Sequence, residues 1–197
     1  MFCFSSRAGE LIPRIGERAL LIFGATLSGA GFVAFALLDE QRGYALSILP
    51  GVLLLGVGMT CVVAPLTTAV MSSVPDTATG VASAVNNALT RFASLLAVSL
   101  LSLVMAHGFA ASLGVQLDRS GLPVSARKQL IASQSRLHDA PIPNGLTTRQ
   151  QVEVDSLLDR AFLFGFQLVM LGCGAISLAG ALAVLLLLPK HSLLSEN

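Results

Sequence analysis

Six polar side chains recur at steps of three and four residues within an apolar stretch of the chain: Ser83, Asn86, Asn87, Thr90, Arg91 and Ser94. This spacing places all of them on one face of an α-helix, across roughly three turns. Amides and hydroxyls donate and accept hydrogen bonds, whereas a guanidinium only donates and pairs with anionic oxygens. The pattern predicts a helix face that binds a polar ligand or a polar partner and that cannot point at lipid.

The depth of Arg91 makes this face a candidate functional site. Arg91 lies about 13 residues, or roughly 20 Å, from Ala78, where its helix is predicted to begin. In a membrane-spanning helix an arginine at this depth costs roughly 2.5 to 3.5 kcal/mol unless it reaches water or a partner. The guanidinium and its amide neighbours either line a substrate cavity or act structurally, the asparagines joining helices and Arg91 pairing with a backbone carbonyl. The candidate cavity residues are Ser83, Asn86, Asn87, Thr90 and Arg91.

The composition predicts that membrane-spanning helices position these residues. Hydrophobic residues make up 54% of the 197 residues and charged residues 12%, about half the charged share of a typical soluble domain. Four long blocks carry no charge, and none has a polar stripe wide enough to face water. Each block reaches the roughly 20 residues that a helix needs to cross a bilayer. We therefore expect an all-α integral membrane protein with four transmembrane helices, at residues 19–38, 47–71, 78–106 and 161–188.

Small residues and prolines shape the first two predicted spans. The first span carries small residues at three- to four-residue steps, a face on which another helix can pack closely. The second span is narrow on one side at Gly51, Gly56 and Gly58. Pro65 lies in its interior and removes a backbone donor, which predicts a helix kink near Ala64.

The segment 107–159 has the composition of a water-exposed loop, with several prolines and an Asn-Gly pair. Within it a short amphipathic helix is expected at Ser125–Leu137. A second helix is expected to begin at Thr147 or Thr148, each of which has a glutamine three residues on, in the manner of a capping box. We expect the apolar residues of this second helix to lie along the membrane interface: Val152, Val154, Leu157 and Leu158.

Several classes of function find no support in the sequence. The net charge of +1 and the scattered arginines give no basis for nucleic-acid binding. Cys3, Cys61 and Cys173 are odd in number and far apart, which suggests neither a disulfide framework nor a metal site. No nucleophile elbow, metal-ligand cluster or phosphate-binding glycine loop stands out. We expect no enzyme activity, no catalytic residue, no cofactor and no metal.

One sequence stretch resembles the drug:proton antiporter branch of the major facilitator superfamily, particularly its fourteen-helix members. The stretch runs from the end of the second span through a short turn into the third span. The matching residues are Pro65, Pro75, Gly80, Ala82, Ser83, Asn86, Asn87 and Arg91.

A second stretch, before the first span, is similar to the cytoplasmic loop signature of the superfamily. It departs at Pro13, where an acidic residue is usual, and at Glu17, where a base is usual. The resemblance therefore implies a weakened charge clamp in this loop. The positions that match are Gly9, Leu11, Arg14, Gly16 and Arg18.

The resemblance maps the whole chain, residues 1–197, onto the last four helices of such a transporter. The distribution of positive charges does not decide which ends of the spans face the cytoplasm. The resemblance places the amino end, the turn at Pro75 and the carboxy tail in the cytoplasm, and the 107–159 loop outside. It implies the carboxy-terminal portion of a bacterial inner-membrane exporter of small organic compounds or drugs, working by proton antiport. The implied partners are membrane lipid, a small organic substrate and protons.

An absence of acidic residues limits what the chain can do alone. No Asp or Glu lies inside any of the four predicted spans. Proton coupling of the kind this family uses needs a buried carboxylate, and alternating access needs two helical bundles. We therefore expect a partial major facilitator bundle, with proton coupling in a missing amino-terminal part. The alternatives are a non-transporting membrane assembly or interaction protein, an inactive truncated fragment, and a four-helix exporter that works as a dimer.

Overall fold

The fold is all-helical over the residues that the computed structural model describes, which are 16–37, 44–72, 74–132 and 147–187. Four helices in these ranges are long and apolar enough to cross a membrane. This confirms the predicted class, an all-α integral membrane protein. The elements in chain order are α1 (Glu17–Ala36), α2 (Tyr44–Ser72), a 3₁₀ turn (Asp76–Ala78), α3 (Thr79–Arg119), α4 (Val124–Ala132) and α5 (Thr148–Leu187).

Two of the helices are longer than their predicted spans. α3 has 41 residues and runs on past residue 106, and α5 has 40 residues and begins well before residue 161. At 1.5 Å per residue each is about 60 Å long, roughly twice the thickness of the hydrocarbon core. Residues 107–119 therefore continue α3, which corrects the start of the expected loop, and the helix predicted to begin at Thr147 or Thr148 runs without a break into the last span.

α1 is preceded by Gly16, whose backbone conformation favours glycine. Gly16 has a φ of 84°, a region that residues with a Cβ rarely adopt. Its carbonyl oxygen accepts a hydrogen bond from the backbone N–H of Leu20 at 3.3 Å. Gly16 thus turns the chain into the helix. Gly9, Leu11 and Arg14, the positions of the loop signature that precede Gly16, lie outside the described residues.

Contacts divide the chain into two compact units, and the first comprises residues 1–94 and 170–197. Its centre is the packing of α1 against α2. A Cβ placed on Gly24 would lie 2.8 Å from the Cβ of Cys61, and one placed on Gly31 would lie 2.8 Å from Cγ of Leu55. Numbers fall along α2 as they rise along α1, so the helices are antiparallel. The small-residue face predicted for the first span is confirmed as the surface that α2 packs on.

A different side of α1 contacts the last part of α5, also within the first unit. The hydroxyl of Ser177 donates a hydrogen bond to the carbonyl oxygen of Ala25 at 2.8 Å. A Cβ placed on Gly29 would lie 3.1 Å from Cγ of Leu178, so these helices also approach closely. α1 is therefore packed on two sides, by α2 and by α5.

The second unit comprises residues 95–169 and has a hydrophobic core of its own. α3 contributes side chains at four-residue steps, and α4 and the first part of α5 pack on them. Val154, Leu157 and Leu158 are buried in this core, which corrects the expectation that they lie along the membrane interface. Val152 is 64% exposed. The core residues are Phe109, Leu113, Leu117, Leu122, Leu130, Val154, Leu157, Leu158 and Ala161.

The amino end of α5 is closed by the predicted capping box. The backbone N–H of Thr147 donates to Oε1 of Gln150 at 3.0 Å, and the backbone N–H of Gln150 donates to the hydroxyl of Thr147 at 3.4 Å. Two backbone donors that the first turn leaves free are thereby satisfied. This confirms Thr147 as the start signal. α4 begins one residue before the predicted Ser125, and the carboxy end of that prediction lies outside the described residues.

Both prolines of the second span lie inside α2, which continues through them. The side chain of Pro65 is fully buried. Because proline has no N–H, the carbonyl oxygen of Cys61 loses the donor that a regular helix would provide. The kink near this position stays a prediction.

The contact between α1 and α2 predicts a sharp difference between two glycines of α2. A Cβ on Gly58 would lie 2.7 Å from the backbone nitrogen of Ser28, whereas a Cβ on Gly56 would meet nothing within 4 Å. We expect Gly58→Ala to destabilise the protein by about 1–3 kcal/mol, because the helices must separate. Gly56→Ala is the control and should leave stability unchanged or slightly raised. Thermal unfolding in detergent measures both, and equal midpoints would refute the close contact.

The core of the second unit predicts a similar contrast between neighbouring residues of α4. Leu130 is fully buried, whereas Ile131 is 49% exposed. Leu130→Ala should cost about 2–5 kcal/mol, because it leaves a cavity, and Ile131→Ala much less. Limited proteolysis within 95–169 should become faster for the first variant alone. Equal rates for the two variants would show that α4 is not packed on this core.

Candidate functional site

The polar face of α3 is positioned by a tight connection from α2. α2 ends at Ser72, and the backbone N–H of Ala78 donates to the carbonyl oxygen of Pro75 at 2.8 Å. The 3₁₀ turn so formed leads directly into Thr79, the first residue of α3. At 1.5 Å per residue, Arg91 lies about 18 Å along the helix from that point. This is more than half of the roughly 30 Å hydrocarbon core.

The five predicted cavity residues lie on one helix but differ in how far they are exposed. Ser83 and Asn86 are half-buried, in line with half-buried Thr79 one turn before. Thr90 and Arg91 are exposed, as is Asn87. One edge of the polar face is therefore half-buried, and the edge with the guanidinium is exposed.

The hydroxyl groups on this face are already engaged as donors within the helix. Thr90 donates to the carbonyl oxygen of Asn86 at 2.8 Å, and Ser94 donates to that of Thr90 at 2.7 Å. Such bonds satisfy a hydroxyl in an apolar surrounding but use its single proton. The two hydroxyl oxygens can still accept hydrogen bonds from a ligand.

The side chains of Asn86, Asn87 and Arg91 make no hydrogen bond and no ion pair with the residues that the structure describes. The pairing of Arg91 with a backbone carbonyl, one of the two interpretations of the sequence, is therefore absent from the described part of the chain. The sequence places no other ionisable side chain between residues 77 and 106. Arg91 is the single charge in this apolar part of α3, and no described residue pairs with it.

The opposite side of α3 is apolar and equally open. Its large side chains are more than half exposed: Val81, Val85, Leu89 and Phe92. Such a surface is suited to acyl chains or to another apolar helix. The helix thus separates a polar side from an apolar side over residues 79–94.

The remaining predicted positions lie elsewhere in the fold. The guanidinium of Arg18 donates to the carbonyl oxygen of Leu185, near the end of α5. The last four carbonyls of a helix lack intrahelical donors, and a cation there is favourable. This residue of the loop signature therefore stabilises a helix terminus. Among the described residues no group of three or more His, Cys, Asp or Glu could hold a metal ion.

Sequence reasoning did not single out Ser177. Its hydroxyl bonds the backbone of α1, and it lies beside Gly174, whose added Cβ would be 3.5 Å from the carbonyl oxygen of Gly29. A lone serine in an apolar span has no periodic pattern around it. The available signal was its small size, which is typical of residues at helix contacts in membranes.

Four long apolar helices, one with an isolated guanidinium on a polar face, define a multi-pass helical membrane protein. Comparison with known proteins agrees with this class. The chain is 30% identical over 128 residues to a protein named multidrug resistance protein Stp in two strains of Mycobacterium tuberculosis. It is 27% identical over 145 residues to a protein of Mycolicibacterium smegmatis named triacylglyceride transporter. The chain is thus similar, at a distance, to proteins of membrane transport and drug resistance.

The similarity covers much of this chain but little of each relative. The matches include 65% and 67% of this chain, and 23% and 26% of the respective relatives. The chain therefore spans about a quarter of the length of the curated relatives it matches. No family model and no solved structure matches the chain.

Solvent access to the two sides of α3 can be measured by cysteine labelling. Asn87 and Phe92 are both exposed in the structure but lie on opposite sides of the helix. With Cys3, Cys61 and Cys173 replaced by alanine, a membrane-impermeant maleimide should label Asn87→Cys at least several-fold faster than Phe92→Cys in intact membranes. The reason is that thiols react as thiolates, which form in water and not among acyl chains. Equal, slow labelling at both positions would place the polar face against lipid.

Proposed function

We propose that this chain is the carboxy-terminal part of a major facilitator transporter of the drug:proton antiporter branch, in a bacterial inner membrane. In this proposal the complete transporter exports small organic compounds in exchange for protons. The observation that carries the proposal is that Arg91 and Asn87 lie side by side and exposed on α3, with no partner among the residues that the structure describes. These two side chains form part of the wall of the substrate cavity.

The energetics of Arg91 support a cavity. A guanidinium among acyl chains costs several kcal/mol, and in membrane proteins such residues face a bundle interior or a water-filled space. The described residues provide no acidic partner and no carbonyl for it. A cavity that contains water or substrate removes this cost, and a transporter has one near the middle of the membrane.

The small share of each relative that the match covers supports the proposal that this chain is part of a larger transporter. Alternating access moves one helical bundle against another around a central site. In this proposal the four helices that are long and apolar enough to span the membrane form part of one bundle. The relatives are about four times as long as the matched region. The second bundle and the proton-binding carboxylate belong, in this proposal, to the remaining length of the transporter.

The names of the relatives support export of compounds with large apolar parts. One is named for multidrug resistance and the other for triacylglyceride transport. On α3 the polar edge at Arg91 adjoins exposed small residues, Ala84 and Ala88, which lead to the apolar side. A surface of this kind suits amphipathic molecules, because their polar and apolar parts find matching groups.

The rival proposal is a membrane protein that serves only assembly with other proteins. Its sequence support was the small-residue face of the first span and the asparagines of the third. The small residues of α1 are already occupied, since Gly24 and Gly31 contact α2 and Gly29 contacts α5. This weighs against a free assembly surface on α1 and leaves the transport proposal as the better supported one.

The proposal predicts the effect of Arg91→Ala in the complete transporter. Loss of a charged hydrogen-bonding group from the cavity corresponds to about 1.5–3 kcal/mol, or roughly 10- to 100-fold in transport rate. The amount of protein in the membrane should change by less than about twofold, because the described residues make no bond to this side chain. Efflux of a fluorescent drug from energised vesicles, with and without a proton ionophore, measures the rate and its coupling.

Ser99→Ala is the matched control for this experiment. Ser99 is exposed, lies on the apolar side of the same helix, and donates its hydroxyl proton to the carbonyl oxygen of Leu95 at 2.9 Å. Its removal should leave efflux unchanged. Efflux that is unchanged in Arg91→Ala as well would contradict the cavity, and efflux that is insensitive to the ionophore would contradict proton antiport.

A further inference from the structure

We propose that Arg91 binds a single carboxylate within the membrane, and that this selects organic acids as substrates. The inference rests on the proposed transport function and narrows its substrate class. It starts from a juxtaposition on α3: the exposed guanidinium of Arg91 follows the exposed amide of Asn87 by one helical turn. Neither group has a partner among the described residues.

The chemistry of these two side chains favours an acceptor-only ligand. A guanidinium offers five N–H donors and no acceptor, and the amide of Asn87 offers two more donors. A carboxylate accepts hydrogen bonds on both oxygens and matches the planar fork of arginine. A cationic drug group would be repelled by Arg91 and would leave its donors unsatisfied.

The count of charges favours a singly charged ligand. Arg91 is the only ionisable residue between positions 77 and 106, so one negative charge neutralises this region of the helix. A carboxylate carries one charge, whereas a phosphate monoester carries about 1.5 to 2 near neutral pH. A phosphate would bring an excess negative charge into the apolar layer, which costs further free energy.

The surroundings of Arg91 leave room for the hydrocarbon part of an organic acid. Ala84 and Ala88 lie on the side of Arg91 that leads to the apolar face, and both are exposed. Their small side chains leave the surface beside the guanidinium free. A carboxylate held at Arg91 could therefore extend its hydrocarbon along α3 toward Phe92, which is 62% exposed.

Binding of a fluorescent acid tests the proposal directly. The full chain is placed in phosphatidylcholine nanodiscs and titrated with 11-(dansylamino)undecanoic acid and, separately, with its uncharged carboxamide. Arg91→Gln should weaken binding of the acid at least tenfold and leave the carboxamide unchanged. Arg91→Lys should retain part of the affinity for the acid, and Ser99→Ala all of it. Circular dichroism checks that each variant keeps its helix content.

A second arm identifies the source of the carboxylate, because an acidic side chain of a neighbouring helix could occupy the same position. Membranes from cells that express Arg91→Lys are treated with a carbodiimide, which joins an amine to a carboxylate in direct contact. A cross-link from position 91 to an Asp or Glu of another spanning segment, found by mass spectrometry, would overturn selection of substrates by Arg91. Absence of that cross-link together with Arg91-dependent binding of the acid supports it.

The outcomes separate this inference from the transport proposal. If Arg91→Gln does not weaken binding of the acid, the inference is overturned, whatever the complete protein transports. Acid binding that depends on Arg91, in a complete protein that exports nothing, supports a carboxylate site at Arg91 but overturns transport and, with it, the role of organic acids as substrates.

Discussion

Close backbone contact along α1 is the interaction on which the first unit depends. Gly24 and Gly31 let α2 approach, and Gly29 lets α5 approach on another side. Within lipid the hydrophobic effect gives helices little reason to associate, so van der Waals contact and a few hydrogen bonds must hold them. The bond from Ser177 to the backbone of α1 and the contact of Arg18 with the end of α5 are of this kind.

The small-residue faces of α1 are occupied by α2 and α5. On α3, Ser83 and Asn86 are half-buried, while Asn87 and Arg91 are exposed. Among the described residues the guanidinium of Arg91 has no partner. The proposed cavity and the class of ligand that suits it both depend on this exposed, charged group.

Much of the fold was predictable from the sequence, and less of the site. The four spanning helices followed from apolar length, and the start of α5 followed from Thr147 and Gln150. The expected loop at 107–159 was wrong over 107–119, which continue α3, because Phe109, Leu113 and Leu117 at helical spacing find partners in the second unit and form a core. For the site, the common face of Asn86, Asn87 and Arg91 was predictable from periodicity. Which of them would be half-buried and which exposed was not predictable, because burial depends on tertiary packing.

The sequence by itself determined the features that depend on local pattern: helix length against bilayer thickness, the period that gathers the polar residues of α3, and the capping box at Thr147. The tertiary structure alone decided which side of α1 meets α2 and which meets α5, and that Val154 joins a core instead of a membrane interface. The physical reason is that these choices follow from contacts between distant residues, such as Ser177 with Ala25. A serine within an apolar helix carries no local mark of the backbone it will bond.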